Sequence, residues 1–267
     1  MAAVVAFEPA SRRSHAELAE IFNAGYEGYY TPFTLDEAAF RFMSELWDDD
    51  LAASRVALVD GEPAGICKLA IRGDRGWIAG VGVALPHRGK GLGEHLMRAA
   101  IEESRARGLR ELWLEVLVQN EPAIRLYEKL GFVTVRELEV WTLENLVSEE
   151  HELPSVPAEQ AHERIRAGRT WREPWQRADE TVANSTGVEG IASEDGALLF
   201  RRSGDRVSLL QAVAPDQAAA ERLLQSLPPE TTGLQWLNGP EGDVFNLAIA
   251  ALGGTLAHRQ HEMLLEL

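Results

Sequence analysis

Six positions, Arg88 to Gly93, carry three glycines and two cations within the stretch "PHRGKGLGEHL". The preceding "WIAGVGVAL" reads as a strand, and the following "LGEHLMRAAIEESRAR" reads as a helix. A strand, a cationic glycine turn and a helix N-terminus in that order suit an anion. Glycines let backbone N–H groups approach it, and the helix end adds partial positive charge. The Walker pattern needs Ser or Thr after Gly-Lys, and here Lys90 is followed by Gly91. The dinucleotide fingerprint needs GxGxxG, whereas Gly89, Gly91 and Gly93 are spaced GxGxG. What remains is a diphosphate held by backbone, or a glycine-rich turn with no ligand.

The same stretch fits R-x-x-G-x-G through Arg88, Gly91 and Gly93, with Val83 and Pro86 as a strand-and-proline lead-in. Downstream, "LEVLVQNEPAIRLYEKLGF" carries a second pattern in Asn120, Ala123, Tyr127 and the Leu-Gly-Phe at 130–132. On these two motifs, residues 5–146 resemble the GCN5-related N-acetyltransferase (GNAT) family. The resemblance implies that the turn takes the pyrophosphate of acetyl-CoA, with no metal. It implies cofactor contacts at Val81, Gly82, Val83, Arg88, Gly89, Lys90, Gly91, Leu92, Gly93 and Asn120. In that family two parallel strands splay, and the amide-like pantetheine arm pairs with one of them as an added strand. Here that strand is Val81 to Val83, with Gly82 keeping the approach open.

Amine acetylation needs a neutral amine, a polarised thioester and a proton for the departing thiolate. The motif match makes Tyr127 the general-acid candidate, since a phenol is uncharged at rest and comparable in basicity to the thiolate. Glu115 is the base candidate, twelve positions earlier, a spacing that resembles the ribosomal-protein alanine N-acetyltransferases. It falls between Trp113 and Leu117 on the strand face opposite Leu112, Leu114 and Val116. A packing tyrosine and a solvated or salt-bridged strand glutamate are the alternatives for these two residue types. The resemblance also places the acceptor amine against "NAGYEGYYTPFT", with Glu27, Tyr30 and Phe33 lining its site.

These residues need a scaffold. "SHAELAEIFNAGYEGYY" has Leu18, Ile21 and Phe22 at helical spacing behind Ser14 as N-cap. "TLDEAAFRFMSELW" reads as a second helix with Thr34 capping and Glu37 three positions on. "SRVALVDGEPAGICKLAI" reads as two strands around an Asp-Gly turn, and "RGDRG" as the next hairpin turn. "EPAIRLYEKLG" is a short helix with Pro122 in its first turn and Gly131 past its end.

At 267 residues the chain suggests about two domains. Net charge is −16; residues 1–150 hold 16 basic against 25 acidic side chains, and 151–267 hold 10 against 17. Neither half is a basic nucleic-acid-binding block. No long apolar run or basic leader is present, so neither a membrane span nor a signal peptide is expected, and the expected location is cytoplasmic. The one cysteine, Cys67, lies in an apolar run and reads as a buried thiol. Asp48 to Asp50 read as a solvated helix-end run. His258 and His261, though spaced HxxH, fall on opposite faces of a strand.

After a polar linker with Pro154 and Pro157, hairpin, strand, helix, strand, helix and strand recur in the second half. Trp171 and Trp175 are expected to cover its core. Sliding by 122 places Leu237 and Ile249 where Glu115 and Tyr127 stand. Aligning Pro86 with Pro215 puts Ala218 and Ala220 where Gly89 and Gly91 stand. The expected fold is therefore α/β, with mixed, mostly antiparallel sheet and a splayed parallel pair, in two tandem GNAT copies. Residues 1–148 would form the catalytic domain and 149–267 a degenerate one. The expected reaction moves acetyl from acetyl-CoA to a primary amine of a small molecule in a monomer or homodimer. Protein N-terminal acetylation and non-catalytic acyl-CoA sensing are the alternatives.

Overall fold

A computed structural model describes residues 4–30, 34–147 and 155–267. In chain order the first elements are β1 (Val5–Pro9), α1 (His15–Tyr26), α2 (Glu37–Leu46), β2 (Arg55–Val59), β3 (Glu62–Arg72), β4 (Arg75–Val83) and α3 (Leu92–Ala106). Then come β5 (Glu111–Leu117), α4 (Glu121–Lys129), β6 (Val133–Glu144), β7 (Ser155–Val156), α5 (Ala158–Gly168) and α6 (Asp179–Asn184). The chain ends with β8 (Val188–Ser193), β9 (Gly196–Ser203), β10 (Arg206–Val213), α7 (Gln217–Gln225), β11 (Gly233–Pro240), α8 (Val244–Ala251) and β12 (Thr255–Glu266). The sheet pairings are mostly antiparallel, with β4–β5 and β10–β11 parallel.

Two compact units result, Met1–Val135 with Glu262–Leu267, and Arg136–His261. A single cut at 148/149 does not reproduce them. Residues 136–147 join the second unit, where Leu138 to Glu144 of β6 pair with β11. The run 262–267 joins the first unit, where it lies beside β5 and puts Met263 and Leu265 into the core.

In the first unit β1 to β4 form an antiparallel meander. Ser14 and Glu17 form the capping box that starts α1. Asp36, not Thr34, caps α2, accepting the Ala39 N–H at 2.8 Å. The Asn23 side chain bonds both the N–H and the C=O of Leu35 (2.9 and 2.8 Å), so the helix starts later than the Thr34 reading expects. Asp60 and Gly61 take positive φ (52° and 90°) in the β2–β3 turn, and Gly73 (60°) turns β3 into β4. Helix α3 buries Leu92, Leu96, Met97, Ala100 and Ile101 on one stripe.

The aspartate run departs from its solvated reading. Asp49 is buried and pairs with Lys68 at 2.7 Å, both side chains fully enclosed. Asp48 pairs with Arg72 at 2.7 Å, and Asp50 with Arg107 at 2.6 Å. The Lys68 ammonium lies within 4.9, 5.4 and 5.9 Å of the ring centres of Phe40, Phe22 and Trp47. A buried ammonium needs both a counter-charge and soft negative faces, and it has them here.

The second unit repeats the order: β7 to β10 are antiparallel, α7 leads to β11 parallel to β10, and α8 leads to β12. Its core gathers Phe200, Leu209, Leu223, Trp236, Phe245 and Ile249. "EPWQRADETVAN", which reads in the sequence as a helical stretch, is not one helix. It forms a 3-10 turn at Trp175–Arg177, then an extended Ala178 (φ −60°, ψ 160°) and α6. Trp175 is buried there.

Candidate active site

β4 and β5 pair over three rungs only, Arg75–Glu111, Gly76–Leu112 and Trp77–Trp113. Beyond Trp77 and Trp113 they part. The β3–β4 register also shifts there, so that Lys68 faces Gly80, Leu69 faces Ile78, and Ala79 is left as a bulge. Gly80 has φ +156°, and a Cβ on it would stand 2.9 Å from both the Phe22 ring and the Tyr26 hydroxyl. A cavity of about 590 Å³ opens between the parted strands, with the glycine turn and α4 as its other walls. The splayed pair expected from sequence is present.

The turn that follows β4 is built from backbone. Gly89 and Gly91 take φ +73° and +83°, and nothing lies within 4 Å of where their Cβ atoms would be. Gly91 is the N-cap of α3 and supplies no capping side chain. The first-turn N–H groups of a 15-residue helix therefore face this cradle. Such donors with that free space fit a diphosphate.

The two cations of the turn do other work. Arg88 donates to the carbonyls of Val83 (2.7 Å), Gly25 (2.9 Å) and Glu27 (2.8 Å), clasping the end of α1 to the end of β4. Lys90 donates to the Pro86 carbonyl at 2.8 Å and does not line the cavity. Gly82 also differs from its expected role. A Cβ there would meet the Gly25 backbone at 2.9 Å, so its missing side chain admits α1. Val81, Gly82, Val83, Arg88, Gly89, Gly91, Leu92, Gly93 and Asn120 all line the cavity.

Glu115 and Tyr127 line the same cavity from β5 and α4. The Trp77 indole N–H donates to Glu115 Oε2 at 2.7 Å. Tyr127 is 6% exposed, and its phenol is pushed well above its usual pKa, first by burial and then by Tyr26 and Tyr29. Asn120 caps α4 and hydrogen-bonds the Tyr29 hydroxyl.

Of the three residues expected to line an acceptor site, Tyr30 lines the cavity and Glu27 does not; Phe33 lies outside the described residues. Sequence reasoning missed Tyr26 and Tyr29, which line it as well. The Tyr26 hydroxyl receives the Val81 backbone N–H, a donor on the strand that has lost its partner. Tyr26, Tyr29 and Tyr30 form an edge-to-face series with ring centres 5.1 and 5.5 Å apart. The clustering of three tyrosines in "GYEGYY" was the available signal.

The second unit has a matching fork with different contents. β10 and β11 pair from Arg206–Gly233 to Leu209–Trp236, and Leu210 is bulged at the β9–β10 register shift. Arg177 bridges the parted strands, donating to Leu210 C=O (3.2 Å) and Asn238 C=O (3.3 Å). It stacks on Trp236 at 3.4 Å and pairs with Glu173 at 2.9 Å. Burial holds the Glu173 carboxyl above its usual range against the pull of Arg177.

Cys67 is buried, its thiol pushed up to about 12 by burial, as its apolar run suggested. Among the described residues no group of three His, Cys, Asp or Glu side chains could hold a metal. No described helix is long and apolar enough to cross a membrane.

Residues 16–132 match the Acetyltransferase (GNAT) family. N-alpha-acetyltransferase 30 of Schizosaccharomyces pombe is 32% identical over 130 residues, covering 47% of this chain and 83% of that protein. Streptothricin acetyltransferase of Streptomyces lavendulae is 44% identical over 75 residues, 27% of this chain and 40% of that one. A tandem GNAT protein from the clavulanic acid biosynthesis pathway superposes with a TM-score of 0.67 at 13% identity, covering 98% of both chains.

Proposed function

The chain belongs to the GNAT family of acetyltransferases, and from that premise we propose that its first unit moves acetyl from acetyl-CoA to a primary amine of a small molecule. One observation carries this reading: Glu115 and Tyr127 converge on a single cleft whose far wall is the glycine turn. The turn and the α3 N-terminus would hold the pyrophosphate, and the strand 81–83 the pantetheine arm.

Glu115 would take a proton from the acceptor ammonium, through water, so that the nitrogen lone pair can attack the thioester carbon. A C–N bond forms, the C–S bond breaks, and Tyr127 gives its proton to the departing thiolate. Burial keeps this phenol protonated at rest and makes it a weaker acid than a free one, and the same burial would raise the basicity of the thiolate that takes its proton. Tyr26, Tyr29 and Tyr30 would receive the cationic acceptor on their ring faces.

The second unit is read as a degenerate copy, since Leu237 and Ile249 stand where base and acid would be and Arg177 fills its fork. The S. pombe relative supports a second reading, in which the acceptor is a protein N-terminal amine. The deciding experiment follows free thiol release from acetyl-CoA with a panel of small amines and of short peptides with free N-termini. Turnover of a small amine alone supports the first reading, and turnover of peptides alone the second. No thiol release with any acceptor counts against both.

A further inference from the structure

Trp77 stands on the last rung before the strands part, opposite Trp113. Glu115, two residues past Trp113, shares that strand face and begins the open part of the fork. The Trp77 indole N–H reaches Glu115 Oε2 at 2.7 Å. Trp77 itself is buried and does not line the cavity, so it reaches neither acceptor nor cofactor and acts only through Glu115. We infer that Trp77 is a positioning residue that holds the Glu115 carboxylate ionised and fixed in the cleft, a role that rests on Glu115 being the base.

The chemistry is directional. An indole nitrogen donates and cannot accept, so this contact favours the charged carboxylate over the acid. A carboxylate that must collect a proton and release it each turnover gains from a donor that stays in place. The ring cannot swing away. Trp47, at the end of α2, meets it edge to face with centres 5.6 Å apart. Trp47 in turn lies 5.9 Å from the Lys68 ammonium, which Asp49 anchors. A rigid chain from the buried ion pair to the carboxylate results.

Other ionisable groups face Glu115. The phenols Tyr26, Tyr29, Tyr30 and Tyr127 share its cleft, as do His87 and Arg88. Arg75 and Glu111 form the rung two before Trp77 and Trp113, with Glu111 four residues before Glu115 on the same strand face. Of the hydrogen bonds described for Glu115, the one from Trp77 is the one that Trp77→Phe deletes without altering a charge.

The test uses the full chain labelled with 13C at glutamate side-chain carboxyls, with the Glu115 signal assigned by its loss in Glu115→Gln. Trp77→Phe should move the Glu115 titration midpoint up by about one pH unit. The acidic limb of the pH–rate profile, measured with the best amine from the panel, should move with it, and turnover should fall about ten-fold. Should Trp77→Phe fold poorly, benzothienylalanine at position 77 keeps the shape and replaces N–H by sulfur. An unmoved midpoint, with Glu115→Gln inactive, overturns the role of Trp77 alone. A moved midpoint with Glu115→Gln fully active overturns the base reading, and the inference with it.

Discussion

Arg177 lies on the face of Trp236, its guanidinium carbon 3.4 Å from the ring centre, where β10 and β11 part. In the first unit the corresponding opening is a cavity; here a side chain from the chain's own interior fills it. The guanidinium offers donors to carbonyls that have lost their ladder partners, which is what the amides of a bound pantetheine would offer. The second fork is satisfied from within.

Replacing that arginine should expose the carboxylates around it. Arg177→Met leaves Glu173, 2% exposed at its side chain, without its counter-charge, and Asp243 beside it. The expected loss is about 3–5 kcal/mol at neutral pH. A carboxyl whose folded pKa lies above its unfolded value, about 4.3, binds more protons when folded. Stability of the variant should therefore fall as pH rises from that value through the raised folded one. Urea unfolding from pH 5 to pH 8 should show the deficit growing, and Glu173→Gln in the same background should flatten it. A deficit that shrinks with pH contradicts the assignment.

Cofactor stoichiometry separates the two forks. Calorimetry should give one acetyl-CoA per chain, and Gly91→Asp should all but abolish binding while the fold survives. A carboxylate at Gly91 would stand at the opening of α3, where the diphosphate is placed. A wild-type value of two, or unchanged affinity in the folded variant, refutes the placement.

Tyr127→Phe keeps the buried ring and removes the proton. Turnover should fall by about a hundred- to ten-thousand-fold, with acetyl-CoA affinity nearly unchanged. Turnover within a factor of two of wild type would make Tyr127 a packing residue.

The first unit should depend on the last strand. Met263 is fully buried in its core, and Leu267 N–H donates to Arg110 C=O at 2.9 Å. Met263→Ala should lower stability by about 2–5 kcal/mol. A chain stopping at His261 should bind 8-anilinonaphthalene-1-sulfonate strongly and lose acetyl-CoA binding. A truncated chain that binds acetyl-CoA normally would show that the strand is dispensable.

The main elements of both units were readable from periodicity and punctuation: Ser14, Asp60-Gly61, Pro122 and Gly131 each sit where their chemistry suggests. That the glycine turn, Glu115 and Tyr127 would line one cleft was readable because motif and spacing mark them in the sequence. What could not be read depends on distant partners. Asp49 looks solvated until Lys68 arrives from a strand nineteen positions on. Trp77 and Glu115 are 38 residues apart. Gly82 looks like room for a ligand until Gly25 fills it. The division of strands between units likewise follows from pairing, which no local pattern specifies.

The run 262–267 follows every residue of the second unit in synthesis, yet belongs to the first. Domains ordinarily fold in the order in which they leave the ribosome. In that order the first unit would leave the ribosome with the place of Met263 and Leu265 unfilled while all of Arg136–His261 is made. The core beneath the glycine turn, Glu115 and Tyr127 is therefore complete only once residues 262–267 have been made, and a nascent chain stalled before them holds those three features without it.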